Sequence, residues 1–171
     1  MEKGILGIDP GLGGAAVLIS KDNIILYKFT MPIIENILDI PELNRRLGNI
    51  KENVGHTYME YVASRPLMSS QSVFKFGRVY GITEALLVVN SLSYTLVTPK
   101  RWTSVVLEGI EKMNNPKDRN RIAISRLFPD EDFRATERCK VPHSGMVDAC
   151  LIALYGMRTQ SGITQRNRKA V

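Results

Sequence analysis

Three carboxylates in this sequence stand where chemistry is easier to explain than packing. Asp9 closes the apolar run Gly4 to Ile8 and is followed at once by the Gly-rich turn Pro10-Gly11-Leu12-Gly13-Gly14, an arrangement that presents an acid at the end of a strand with backbone close by. Glu60 ends a second short apolar run, His56 to Glu60, where an acid has no packing role. Asp148 lies near the start of the apolar stretch Val147 to Met157, where the positive end of a helix dipole would also favour it. Each has an ordinary explanation alone: turn chemistry, an edge-strand surface acid, helix capping. Together they supply hard oxygen ligands from distant chain segments, which is what a divalent cation such as Mg²⁺ takes.

The cations are as unevenly placed. Residues 1 to 99 carry 9 Lys or Arg and 9 Asp or Glu, whereas residues 100 to 171 carry 14 and 8, so the whole formal charge of +6 comes from the C-terminal part. The densest patch is Lys100, Arg101, Lys117, Arg119 and Arg121, joined by Arg126. Ser70, Gln71, Lys75 and Arg78 form a second polar and basic set near the start of a predicted helix. Basic side chains of this density suit phosphate contacts, which give salt-dependent affinity for nucleic acid without reading sequence; a solvated helix face is the alternative.

These groups need a scaffold. Gly4 to Ile8, Ala15 to Ile19 and Ile24 to Phe29 read as three strands in a meander, followed by a helix over Pro41 to Ile50 and a strand over His56 to Glu60. Ser72 to Asn90 suits a long helix, with Gly77 and Gly81 spaced to let a neighbouring backbone approach, and Tyr94 to Val97 a fifth strand. Pro99 and Pro116 read as helix starts, and Val147 to Met157 as the final helix. Trp102, the only tryptophan, reads as a core anchor. This order calls for an α/β fold, a five-stranded mixed sheet with helices on both faces. Residues 1–157 form one domain in this reading and 158–171 a basic, flexible C-terminal tail.

Composition narrows the class. With 171 residues, 44% hydrophobic and 23% charged, the chain suits one cored domain, and its pI near 9.4 favours a polyanionic partner. No apolar stretch approaches the roughly 20 residues that span a bilayer, so neither a membrane nor a secretory segment is expected and the cytoplasm is the expected location. Cys139 and Cys150 have no zinc or disulfide spacing. The turn after Asp9 is not a P-loop. The chain is also too short for the duplicated domains of sugar-kinase or actin-like ATPases, which share a strand–Asp–Gly start.

The blocks from Gly4 to Ala15, Tyr58 to Val62, Ser70 to Gly81, Pro99 to Trp102 and Asp148 to Gly156 occur in an order that resembles the RuvC-type Holliday junction resolvases, in particular their small phage and organelle-related branch. The resemblance implies an RNase H-like fold, a homodimer, and Mg²⁺-dependent paired nicking of four-way DNA junctions that leaves 5′-phosphates. It implies two Mg²⁺ per site, with Mn²⁺ as a substitute, held by Asp9, Glu60 and Asp148. The family's fourth ligand position falls on Ser144, where an acid is usual, with His143 before it. Three readings stand there. His143 is the fourth catalytic group, or it caps the helix, or Ser144 is an inactivating substitution that leaves a junction-binding protein with weak cleavage.

Overall fold

The computed structural model describes residues 3–61 and 69–168. Seven strands and five helices follow in the order β1 (Gly4–Asp9), β2 (Ala15–Ile19), β3 (Ile25–Thr30), β4 (Ile33–Ile34), β5 (Ile37–Leu38), α1 (Ile40–Ile50), β6 (Val54–Glu60), α2 (Ser70–Val89), β7 (Tyr94–Val97), α3 (Pro99–Val106), α4 (Pro116–Leu127) and α5 (Ser144–Arg168). Five strands make one sheet in the order β3-β2-β1-β6-β7. The first three form the antiparallel meander, while β1, β6 and β7 run parallel.

Alternation along β1 divides the core. Ile5 joins β2, β6 and helices α3, α4 and α5 on one face, and Leu6 and Ile8 join α1 and α2 on the other. The sheet is therefore covered on both faces, and β1 and β2 are buried almost throughout.

α5 is the central helix of its layer, and two glycines set its approach. A Cβ on Gly7 of β1 would run into the backbone of Ala149 and Ala153, so the helix lies against bare strand backbone there. A Cβ on Gly145 would meet the Gly13 carbonyl and lie 2.8 Å from Gly14 Cα, so the first turn of α5 sits on the turn that follows Asp9. These two contacts bring the N-terminus of α5 to the C-terminal end of β1.

Three elements differ from the sequence-based expectation. β4 and β5 form a separate two-stranded hairpin whose turn residues, Glu35 and Asn36, have φ of 50° and 60°; that turn lacks the Asn-Gly signal that usually marks such a hairpin. α5 does not stop near Met157 but continues to Arg168, so the segment expected as a tail is helical over most of its length; residues 169–171 lie outside the described residues. Gly77 and Gly81 do not serve close packing within the chain, because a Cβ on either would meet nothing within 4 Å. They belong to the exposed face of α2.

Candidate metal and nucleic-acid site

Asp9 and Glu60 are the last residues of adjacent parallel strands, one rung beyond the Ile8–Met59 pair. By strand alternation Asp9 shares a face with Ile5 and Gly7, and Glu60 with Tyr58, which puts both acids on the α5 side of the sheet. Asp148 arrives one turn into α5, carried there by the contact of Gly145 with Gly13 and Gly14. The sequence-predicted acids therefore meet at one end of the sheet.

Their electrostatics record the meeting. Burial, then repulsion from Glu60 and from Asp148, pushes the Asp9 carboxyl up to about 7, while Lys117 opposes the shift. Asp148 is also raised, chiefly by burial, with a hydrogen bond from Asn120 and the charge of Lys117 working against it. Lys117 is thus the cation that faces the acids from α4. Carboxylates that repel one another in a poorly hydrated site are a hard-oxygen donor set of the kind a divalent cation stabilises, so the residues fit Mg²⁺ chemically. Among the described residues, however, no group of three His, Cys, Asp or Glu side chains is drawn tightly enough together to form a ready-made metal cage.

Beside the acids opens a cleft of about 580 Å³, lined among others by Glu60, Trp102, Lys112, Lys117, Asn120 and Asp148. Trp102 Nε1 donates to Glu60 Oε1 at 2.8 Å, and Asn120 Nδ2 donates to Asp148 Oδ1 at 2.7 Å. Sequence reasoning gave Trp102 a core role only and passed over Asn120 and Lys112. No local sequence pattern marks Asn120 as the partner of Asp148, because the bond joins α4 to α5 across 28 residues.

His143 and Ser144 stand at the start of α5. His143 Nδ1 accepts the Met146 N–H at 3.3 Å, the N-cap to third-residue bond of a helix start, and the backbone N–H of His143 donates to Phe133 O at 2.7 Å. Burial lowers the imidazole's pKa and so favours the neutral ring. Ser144 is the first helical residue and is partly buried.

The basic residues divide by what they touch. Lys100, Arg101 and Lys117 are exposed on the α3–α4 side. Arg119 instead turns inward, its guanidinium donating to Leu107 O at 2.9 Å and Ile110 O at 2.7 Å, and so ties the α3–α4 connection to α4. Arg121 pairs with Asp118 at 3.0 Å. On the other face of the sheet Gln71, Lys75 and Arg78 line a cavity of about 570 Å³ together with Leu12, which belongs to the turn after Asp9. Ser70 is exposed at the first residue of α2, and capping of that helix falls to Ser69, which accepts from the Ser72 N–H at 3.2 Å. Exposed polar and cationic groups thus flank the acids from both layers.

A mixed five-stranded sheet of this order, with acids at the ends of its central strands and helices on both faces, is an RNase H-like fold. Among its solved neighbours are two RuvC structures. RuvC of Thermus thermophilus in complex with a Holliday junction substrate superposes with a TM-score of 0.67 at 12% identity, covering 94% of this chain and 97% of that one. A second Thermus thermophilus RuvC structure gives 0.65 at 14% identity, with 93% and 96% covered. No protein-family model and no curated protein matches the sequence. At such identities the likeness is one of fold over nearly the whole chain.

Proposed function

We propose that the chain is a metal-dependent endonuclease of the RuvC type that makes paired nicks in four-way branched DNA. The observation that carries this reading is the convergence of Asp9, Glu60 and Asp148, with burial and then repulsion from the other two acids lifting the Asp9 carboxyl to about 7, at one end of a sheet whose structural neighbour was solved on a Holliday junction.

In this reading Asp9, Glu60 and Asp148 hold two Mg²⁺, or Mn²⁺ in their place. The bound cations supply a water of lowered pKa and stabilise charge on the phosphate and the leaving 3′ oxygen. Asp9, with the most strongly raised carboxyl, is the group whose charge a dication relieves most. Lys117 draws a phosphate towards the acids, and Lys100, Arg101, Lys75, Arg78, Ser70 and Gln71 hold the duplex arms on either side. Arg119, bonded to two backbone carbonyls, and Arg121, paired with Asp118 on the same helix, contribute less.

Paired nicks need two sites, hence a two-fold dimer on a two-fold junction. The exposed face of α2 supports one. Phe74 is 72% exposed and Val88 62%, and Phe74, Gly77, Gly81, Ala85 and Val88 recur at intervals of three and four along one stripe, where a second helix can approach closely. Branched DNA in the cytoplasm is the substrate this reading assigns; no helix among the described residues is long and apolar enough to cross a membrane.

A second reading, a junction-binding protein with weak cleavage, draws on the start of α5. His143 Nδ1 is spent on the Met146 N–H, and position 144 offers a hydroxyl, a weak ligand for a hard cation. A synthetic four-way junction with Mg²⁺, with EDTA, and against linear duplex separates the two. Efficient Mg²⁺-dependent, junction-selective nicking supports the enzyme; tight binding without nicking supports the second reading. Under that reading Ser144→Asp restores nicking by an order of magnitude or more, and an unchanged rate would show that position 144 is not where a ligand is wanting.

A further inference from the structure

Trp102 is 2% exposed and packs in the core layer beneath α5, so its ring is explained by burial. Its N–H is not. A buried indole needs an acceptor, and the one used here is a carboxylate oxygen of Glu60 at 2.8 Å, at the rim of the cleft that holds the acids. On the opposite rim Asn120, 8% exposed, makes the equivalent bond to Asp148 at 2.7 Å. Both donors are neutral. An Arg or Lys in either place would orient the carboxylate equally well but would cancel its charge. An indole has one N–H, no acceptor and no titration, so it fixes the direction of an oxygen and leaves the negative charge on the site.

We propose that Trp102 is a positioning residue: through one neutral hydrogen bond from the core it sets the orientation of the Glu60 carboxylate, as Asn120 does for Asp148. What the oriented carboxylate then does rests on the nuclease reading above; the hydrogen bond itself does not. Partners of this kind, one bond removed from a ligand, typically carry a tenfold to hundredfold effect on metal affinity or rate.

The single tryptophan makes the bond directly observable, because a ¹⁵N–¹H correlation spectrum contains one indole resonance. That resonance is expected downfield of a solvated indole, to move in Glu60→Gln, and to shift in the wild-type protein as Mg²⁺ is titrated. Replacing Trp102 with benzothienylalanine, which keeps the ring shape and substitutes sulfur for the N–H, is expected to weaken Mg²⁺ binding by calorimetry about tenfold. The same replacement should lower kcat for junction nicking with KM for the junction unchanged. Trp102→Phe serves as the genetically simpler companion, its fold checked by the thermal midpoint.

An indole resonance indifferent to Glu60→Gln overturns the hydrogen bond. A shift in Glu60→Gln combined with wild-type Mg²⁺ affinity and kcat in the benzothienyl protein overturns the positioning role alone and leaves the nuclease reading intact. Failure of the wild-type protein to bind Mg²⁺ or to nick removes the nuclease reading, and the positioning role falls with it.

Discussion

Asp9 is where the fold's cost and the site's use meet. A carboxyl whose ordinary pKa of 3.8 is raised to about 7 holds its proton in the folded chain while the unfolded chain has lost it, so between these values the native state binds more protons and stability falls as pH rises. Below about pH 4 the acid costs nothing; above 7 the full penalty is present. Asp9→Asn is therefore expected to stabilise the folded chain at pH 8 by an amount on the order of 2 kcal/mol once coupling to Glu60 and Asp148 is discounted, seen as a higher thermal midpoint, and to leave the midpoint unchanged near pH 3.5. Thermal melts of both proteins at the two pH values check this, and equal midpoints at pH 8 would mean that neither burial nor the neighbouring acids penalise the Asp9 charge. At this scale the sequence was informative about charge and silent about its partners. Three strand-end or helix-start acids are visible as types and positions, whereas the Trp102 and Asn120 donors depend on how α3 and α4 lean over the cleft, which no local pattern encodes.

The helices decide which cations face outward. Lys117, exposed at the second residue of α4 and electrostatically coupled to Asp9 and Asp148, is a phosphate contact in this account, while Arg119 two residues on holds the Leu107 and Ile110 carbonyls. Lys117→Ala should flatten the dependence of log affinity on log salt by about 0.9, the equivalent of one phosphate. Arg119→Ala should leave that slope alone and cost about 1 to 3 kcal/mol of stability, because two carbonyls lose a charged donor. Salt-titrated junction binding and a denaturation curve on each variant tell the two apart; the opposite assignment would mean that α4 presents its other face to DNA. A helical run of Lys and Arg reads as one patch in sequence, since spacing gives the face but not what packs against it. Apolar runs, helical spacing and proline starts did reveal the five sheet strands, the helices over Pro41 to Ile50 and Ser72 to Asn90, and the helix starts at Pro99 and Pro116. They failed where a signal was missing: the two-residue strands β4 and β5 are too short to show alternation, and the polar residues of α5 beyond Met157 carry no apolar stripe to announce a helix.

At the scale of the molecule, a mixed sheet faced by two helical layers follows from the order of elements and was legible; the docking of α5 was not. Gly7 and Gly145 carry no mark in sequence that separates them from Gly77 and Gly81, yet the first pair seats the helix that delivers Asp148 and the second faces open space. That open face is the surface assigned to self-association. Phe74→Glu, placing a charge in the middle of the exposed stripe, should halve a solution mass of twice 19.2 kDa to that of one chain, leaving the fold unchanged because the side chain is 72% exposed. Sedimentation equilibrium of both proteins reads this directly, and a wild-type chain that is already monomeric, or a variant that stays dimeric, would move the interface elsewhere or remove it.

If the acids at the end of the sheet are cleavage machinery on a junction-binding surface, loss of one charge there abolishes cleavage and spares binding. Asp9→Asn keeps the side chain's shape and removes the charge at the most strongly coupled position. Binding of a synthetic four-way junction and its Mg²⁺-dependent nicking, measured side by side for wild type and Asp9→Asn, separate the two functions of this surface. Affinity is expected to stay nearly unchanged while nicking falls at least a thousandfold, on the order of 4 kcal/mol of transition-state stabilisation. A variant that nicks as the wild-type protein does would contradict that role for the acids.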